Sequence, residues 1–91
     1  KKYKIIERNL FNDFNFEILE DKFDIIFLDP PYKEKKLDLI INNISKKKIL
    51  NKNGIIIIHR HKKENDKFSN NFKILEEKKY GISKIFFGTL N

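Results

Sequence analysis

The feature that most constrains this chain is a pair of short apolar runs, FDIIFL (Phe23–Leu28) and IIII (Ile55–Ile58), with a segment of helical period between them. A strand that faces water on one side alternates apolar and polar residues. An unbroken apolar run suits a strand covered on both faces, and such strands belong to parallel sheets. Between the runs, Leu37, Ile40, Ile41 and Ile44 fall at i, i+3, i+4 and i+7, one face of a 3.6-residue repeat. Lys46, Lys47 and Lys48 follow near the C-terminal end of that repeat, where cations complement the helix dipole. The stretch NKNG (Asn51–Gly54) reads as a turn, with Gly54 free to take positive φ. Strand, helix and strand in this order predict a right-handed parallel unit.

The flanking segments extend the pattern. YKIIER (Tyr3–Arg8) is β-prone, and FNDFNFEILED (Phe11–Asp21) carries apolar residues at near-helical spacing. After a polar stretch from His59 to Asn71 come two strand candidates, FKILEEKKY and GISKIFF, separated by a tight turn at Tyr80 and Gly81. The expected architecture is α/β, with parallel strands and a closing antiparallel hairpin forming half of an open sheet. There is no internal repeat, low-complexity linker or second domain, and the polar stretch HRHKKENDK (His59–Lys67) is the one candidate for a mobile segment. Glu76, Glu77, Lys78 and Lys79 read as a solvated face.

Composition excludes several classes of function. With 91 residues the chain is at most one small domain. The absence of cysteine removes disulfides, thiolate metal sites and cysteine nucleophiles, and points to the cytoplasm. No apolar run approaches the roughly 20 residues needed to span a bilayer. The net charge of +7 suits an anionic partner such as nucleic acid. A second source competes with that reading. The chain has no Ala and no Val, abounds in Ile, Lys, Asn and Phe, and holds only Arg8 and Arg60 as arginines, the pattern of translation from an AT-rich genome.

In open α/β sheets, ligands bind beyond the carboxyl ends of the parallel strands. Two sequence features fall there: Asp29-Pro30-Pro31-Tyr32 after the first run and His59-Arg60-His61 after the second. The two prolines end the first strand abruptly and stiffen the turn that follows. Asp29 could accept a hydrogen bond from an amino group, the Pro30 carbonyl could supply a second acceptor, and Tyr32 offers a face for base stacking. Together they would clamp a planar exocyclic amine and aim its lone pair at an electrophile. The alternative is a plain turn, which is what most Asp-Pro pairs make. His59 and His61 share a face of an extended backbone and could hold a metal, but a third ligand is not evident. The run His59–Lys63 could instead contact phosphates, or be an exposed basic loop.

The segments FDIIFLDPPYKEKKL, LNKNGIIII and KKYGISKIFF resemble, in order and spacing, the C-terminal half of the RsmD-like family. Its members are S-adenosylmethionine-dependent guanine-N2 methyltransferases of small-subunit ribosomal RNA. The resemblance implies a Rossmann-like class I methyltransferase sheet and a catalytic loop at Asp29, Pro30, Pro31 and Tyr32. It also implies cofactor contacts through Asn9 to the adenine ring, through the backbone of Leu10, and at Asp29. No metal is implied. The tetrapeptide is shared with enzymes that methylate adenine N6 in DNA or RNA, and a non-catalytic basic nucleic-acid-binding remnant is the reading from another class.

Two departures from the family pattern stand out. His59 occupies the place where the family usually has glutamate. The glycine-rich turn that cradles the methionine end of the cofactor is missing, since the glycines are Gly54, Gly81 and Gly88. Lys1 is also an unlikely natural start. The expectation is therefore a single partial domain over residues 1–91, the catalytic half without the cofactor-binding half, and inactive alone. In the family's order the opening strand and the Phe23–Leu28 strand are not neighbours, so an exposed apolar edge or an unnatural pairing is expected.

Overall fold

The structure is a computed structural model and describes residues 3–6, 22–30, 37–68 and 70–90. Five strands and one helix follow in the order β1 (Tyr3–Ile6), β2 (Phe23–Leu28), α1 (Leu37–Lys47), β3 (Leu50–His61), β4 (Phe72–Tyr80) and β5 (Ser83–Leu90). They build one sheet with strand order β1-β2-β3-β5-β4. The pairs β1/β2 and β2/β3 are parallel, and β3/β5 and β4/β5 are antiparallel. This is the mixed sheet that the unbroken apolar runs and the closing hairpin predict. The helix expected within Phe11–Asp21 lies outside the described residues.

The helix forms where the apolar repeat places it. Leu37, Ile40, Ile41 and Ile44 are all buried, Asp38 stands in the first turn, and Lys46 and Lys47 in the last. These four side chains join Ile26 and Leu28 of β2, Ile56 and Ile58 of β3, and Phe72 and Phe86 of the hairpin in a single core. One face of the sheet therefore carries this core. Along β3, Gly54, Ile56, Ile58 and Arg60 are buried, and the residues between them are half-buried.

One local expectation is corrected and two are met. The helix ends on Lys48, which takes the left-handed conformation at φ 55° while its N–H bonds to the Ser45 carbonyl at 3.2 Å. The stretch Asn51–Gly54 is not a free turn but part of β3, and Asn53 rather than Gly54 takes positive φ, at 66°. Gly54 is required for space instead, because a Cβ there would meet Leu50 Cδ1 at 2.6 Å and the Asn51 carbonyl at 2.8 Å. The unnatural pairing expected for the opening strand is found in β1, which pairs with β2 in register from Tyr3↔Ile25 to Ile6↔Leu28. The apolar edge of β2 is thus closed by β1, where the family's strand order leads one to expect the two to be separated.

The polar stretch after β3 is tied down. Arg60 is buried, with its Nε donating to Asp66 Oδ2 at 2.9 Å and its Nη2 lying 3.8 Å from Glu64 Oε2. Lys84, also buried, donates to the Glu64 carbonyl and lies 5.5 Å from the Phe86 ring centroid. Phe68 packs edge-on against Phe86 at 5.3 Å between centroids. The stretch expected to be mobile is therefore anchored by two buried cations and an aromatic contact.

Candidate functional site

The parallel register between β2 and β3 builds the site. Leu28 pairs with Ile58, so the next residue on each strand, Asp29 and His59, emerge side by side at the carboxyl end of the sheet. The strand ends there because the following residue is proline, which has no N–H to give the ladder. Pro30 is buried. The His59 and Asp29 side chains remain 34% and 32% exposed, open to a substrate while held by their neighbours.

His59 Nδ1 lies 3.1 Å from Asp29 Oδ1, and His59 Nε2 lies 3.0 Å from the Ser83 hydroxyl. Ser83 reaches this place because it opens β5, where the two-residue turn Gly81-Ile82 returns the chain alongside His61. Gly81 takes φ 53° at the first position of that turn, where glycine carries no steric cost. A line of three polar side chains from three strands thus crosses the carboxyl end of the sheet.

The sequence-derived candidates divide sharply. Asp29 and Pro30 directly follow the carboxyl end of β2. Pro31 and Tyr32 lie outside the described residues, as do Asn9 and Leu10. The carboxyl end of β1 does lie beside that of β2, because Ile6 pairs with Leu28. Arg60 cannot join a phosphate-binding run on this face, since it points to the opposite side and is engaged with Asp66. His61 Nδ1 accepts the Lys63 N–H at 3.1 Å, and both ring nitrogens of His59 have partners. Among the described residues no group of three His, Cys, Asp or Glu side chains comes together to hold a metal.

Sequence reasoning passed over His59 and Ser83 as partners of Asp29. A signal existed: aligning the two apolar runs by their carboxyl ends sets Asp29 opposite His59. Ser83 needed the antiparallel register of the hairpin, which the sequence does not state.

S-adenosylmethionine binds its methionine end against a glycine-rich turn leading from a strand into a helix. Gly54 lies near the start of β3, Gly81 in the hairpin turn, and Gly88 in β5 against Phe72. None follows the carboxyl end of a parallel strand, so these residues do not fit the methionine end of that cofactor. A cleft of about 590 Å³ lies at the opposite end of the sheet, rimmed by Lys22, Ser45, Lys48, Asn51 and Lys52. It is separate from Asp29.

This sheet, with its parallel pairs and closing antiparallel hairpin, has a Rossmann-like methyltransferase fold. A solved structure of a conserved hypothetical protein from Streptococcus pyogenes superposes with a TM-score of 0.72 at 27% identity, covering 82% of this chain and 48% of that one. The family described as Conserved hypothetical protein 95 matches residues 2–89, and the chain belongs to that family, the RsmD-like family. An uncharacterized methylase of Rickettsia prowazekii is 32% identical over 63 residues, 69% of this chain and 27% of the relative. Ribosomal RNA small subunit methyltransferase D of Buchnera aphidicola is 36% identical over 56 residues, 62% of this chain and 29% of the relative. The matched stretch is thus less than a third of either curated relative.

Proposed function

We propose that these residues are the catalytic half of an enzyme that transfers a methyl group to the exocyclic amine of a guanine in small-subunit ribosomal RNA, in the cytoplasm. S-adenosylmethionine is the methyl donor in this reading, and its methionine cradle lies outside what these residues supply. The chain's own contribution is the amine clamp. Asp29 accepts a hydrogen bond from the amino group, the Pro30 carbonyl provides the second acceptor, Pro31 stiffens the turn, and Tyr32 stacks on the base. Fixing the amine by its hydrogens leaves the nitrogen lone pair directed at the incoming methyl group. Asn9 and Leu10 are assigned to the adenine end of the donor.

The observation that carries this reading is Asp29 itself, a partly open carboxylate held by His59 at the carboxyl end of β2. A relative bearing the name of a ribosomal RNA methyltransferase and the net charge of +7 support an RNA substrate. In the protein at its full natural length, Asp29→Ala is expected to lower methyl transfer about 10²–10³-fold while leaving the folded state intact. Residues 1–91 assayed alone should transfer none. A folded Asp29→Ala variant with near wild-type turnover would refute the clamp, and turnover by the isolated piece would refute its dependence on a separate cofactor half.

A further inference from the structure

His59 has no part in the clamp described above, yet its ring touches the carboxylate on which the clamp depends. Donor and acceptor chemistry fixes the direction of these contacts. An ionised carboxylate has no hydrogen to give, so the 3.1 Å contact to Asp29 Oδ1 requires the proton on His59 Nδ1. In the neutral ring Nε2 is then an acceptor, and the Ser83 hydroxyl at 3.0 Å is its donor. The carboxylate sets the tautomer, and Ser83, whose hydroxyl can donate or accept, completes it by donating to Nε2 and fixing the ring. One oxygen of Asp29 is committed to the ring, which assigns the substrate amine to the other.

We infer that His59, set by Ser83, is a positioning residue that orients the Asp29 carboxylate for the amine; the inference rests on the methyl-transfer reading above. The sheet supplies the rigidity. Asp29 follows β2 directly, and His59 and Ser83 lie in β3 and β5, with registers fixed by the ladder pairs Leu28↔Ile58 and His61↔Ser83. An aspartate on a turn without such a partner would sample several rotamers, and only some would meet the amine.

The same line of atoms orders the nucleophile in serine hydrolases, where free backbone amides next to the serine hold the oxyanion. Here Ser83 and Lys84 are in ladder register on both sides, with His61 and Arg60 of β3 and with Tyr80 and Lys79 of β4. That arrangement suits Ser83 as a hydrogen-bond donor to the ring and leaves it without an oxyanion site built from its own strand.

The test combines a spectrum with kinetics, both on the protein at its full natural length. The imidazole ¹⁵N spectrum at about pH 8, where an ordinary imidazole is neutral, is expected to show His59 protonated on Nδ1 and bare on Nε2. Ser83→Ala should erode that preference. In methyl transfer to ribosomal RNA, His59→Ala is expected to lower kcat about 10–100-fold, the usual cost of losing a supporting partner, with KM for RNA nearly unchanged. His59→Asn, whose amide nitrogen can donate from nearly the position of Nδ1, should recover most of the loss, whereas a merely structural role would give no such rescue. A proton on Nε2, an undiminished kcat in His59→Ala, equal damage from Asn and Ala, or labelling of Ser83 by a fluorophosphonate would each overturn the inference. A wild-type protein that transfers no methyl group would overturn the methyl-transfer reading, and the spectrum would still decide whether Ser83 and His59 hold Asp29.

Discussion

Arg60 shows how one residue's role turns on which face of a strand it occupies. Its side chain is 2% exposed and bonded to Asp66, which is itself 10% exposed. A buried ion pair contributes little net stability over apolar replacements, but removing one partner strands the other charge. Asp66→Ala is therefore expected to destabilise the fold by up to about 3–5 kcal/mol, moderated by Glu64, while the double replacement Arg60→Met with Asp66→Leu should cost less. Chemical denaturation of the two variants measures the difference. A larger loss in the double replacement than in Asp66→Ala would contradict the stranded-charge account. The sequence places Arg60 between two histidines in a basic run, which reads as a single exposed patch. Strand β3 continues through His61, and the two-residue alternation sends Arg60 into the core side and His59 toward Asp29. The carboxylates that receive Arg60 come from the following loop, and nothing in a strand pattern identifies them.

At the scale of elements, the closing hairpin is held by a close approach of its two strands. Gly88 of β5 lies against β4, where an added Cβ would sit 2.3 Å from Phe72 Cζ and 2.8 Å from the Lys73 carbonyl. The ring could yield, but the backbone carbonyl cannot without shifting the ladder. Gly88→Ala is expected to destabilise the protein by about 1–3 kcal/mol, the ordinary cost of overpacking. A denaturation midpoint equal to wild type would show that the strands are looser than this packing implies. Apart from Phe72, β4 is exposed along its length, with Glu76, Glu77, Lys78 and Lys79 on it and a register shift between Ile74 and Glu76. Charges and a bulge are common protections of an edge strand, and they agree with the solvated face expected there. The helix was legible because its apolar stripe has an unambiguous period. The start of β3 was not, because Asn51, Lys52 and Asn53 are poor strand formers that enter the sheet through neighbours. Asn51 donates to Asp24 at 3.1 Å, and Thr89 donates to the Gly54 carbonyl at 2.9 Å.

For the molecule as a whole, the strand order β1-β2-β3-β5-β4 brings the carboxyl ends of three parallel strands to one edge and the serine that opens β5 to the same place. The position of Asp29 and Pro30 could be read from the sequence because a buried parallel strand must end where proline stops its ladder. The pairing of β1 with β2 was one of two outcomes the sequence left open, an exposed edge being the other, since two apolar strands carry no label for the neighbour they lack or find. The central claim is the proposal that the carboxyl edge holds an exocyclic amine of guanine for methylation. The most direct measurement is nucleoside analysis of small-subunit ribosomal RNA after incubation with the full-length protein and S-adenosylmethionine. N2-methylguanosine is the expected product, formed in wild type and lost with Asp29→Ala. Methylation of adenine N6, methylation of a ribose hydroxyl or a ring carbon, or no new methylated nucleoside at all would contradict the claim.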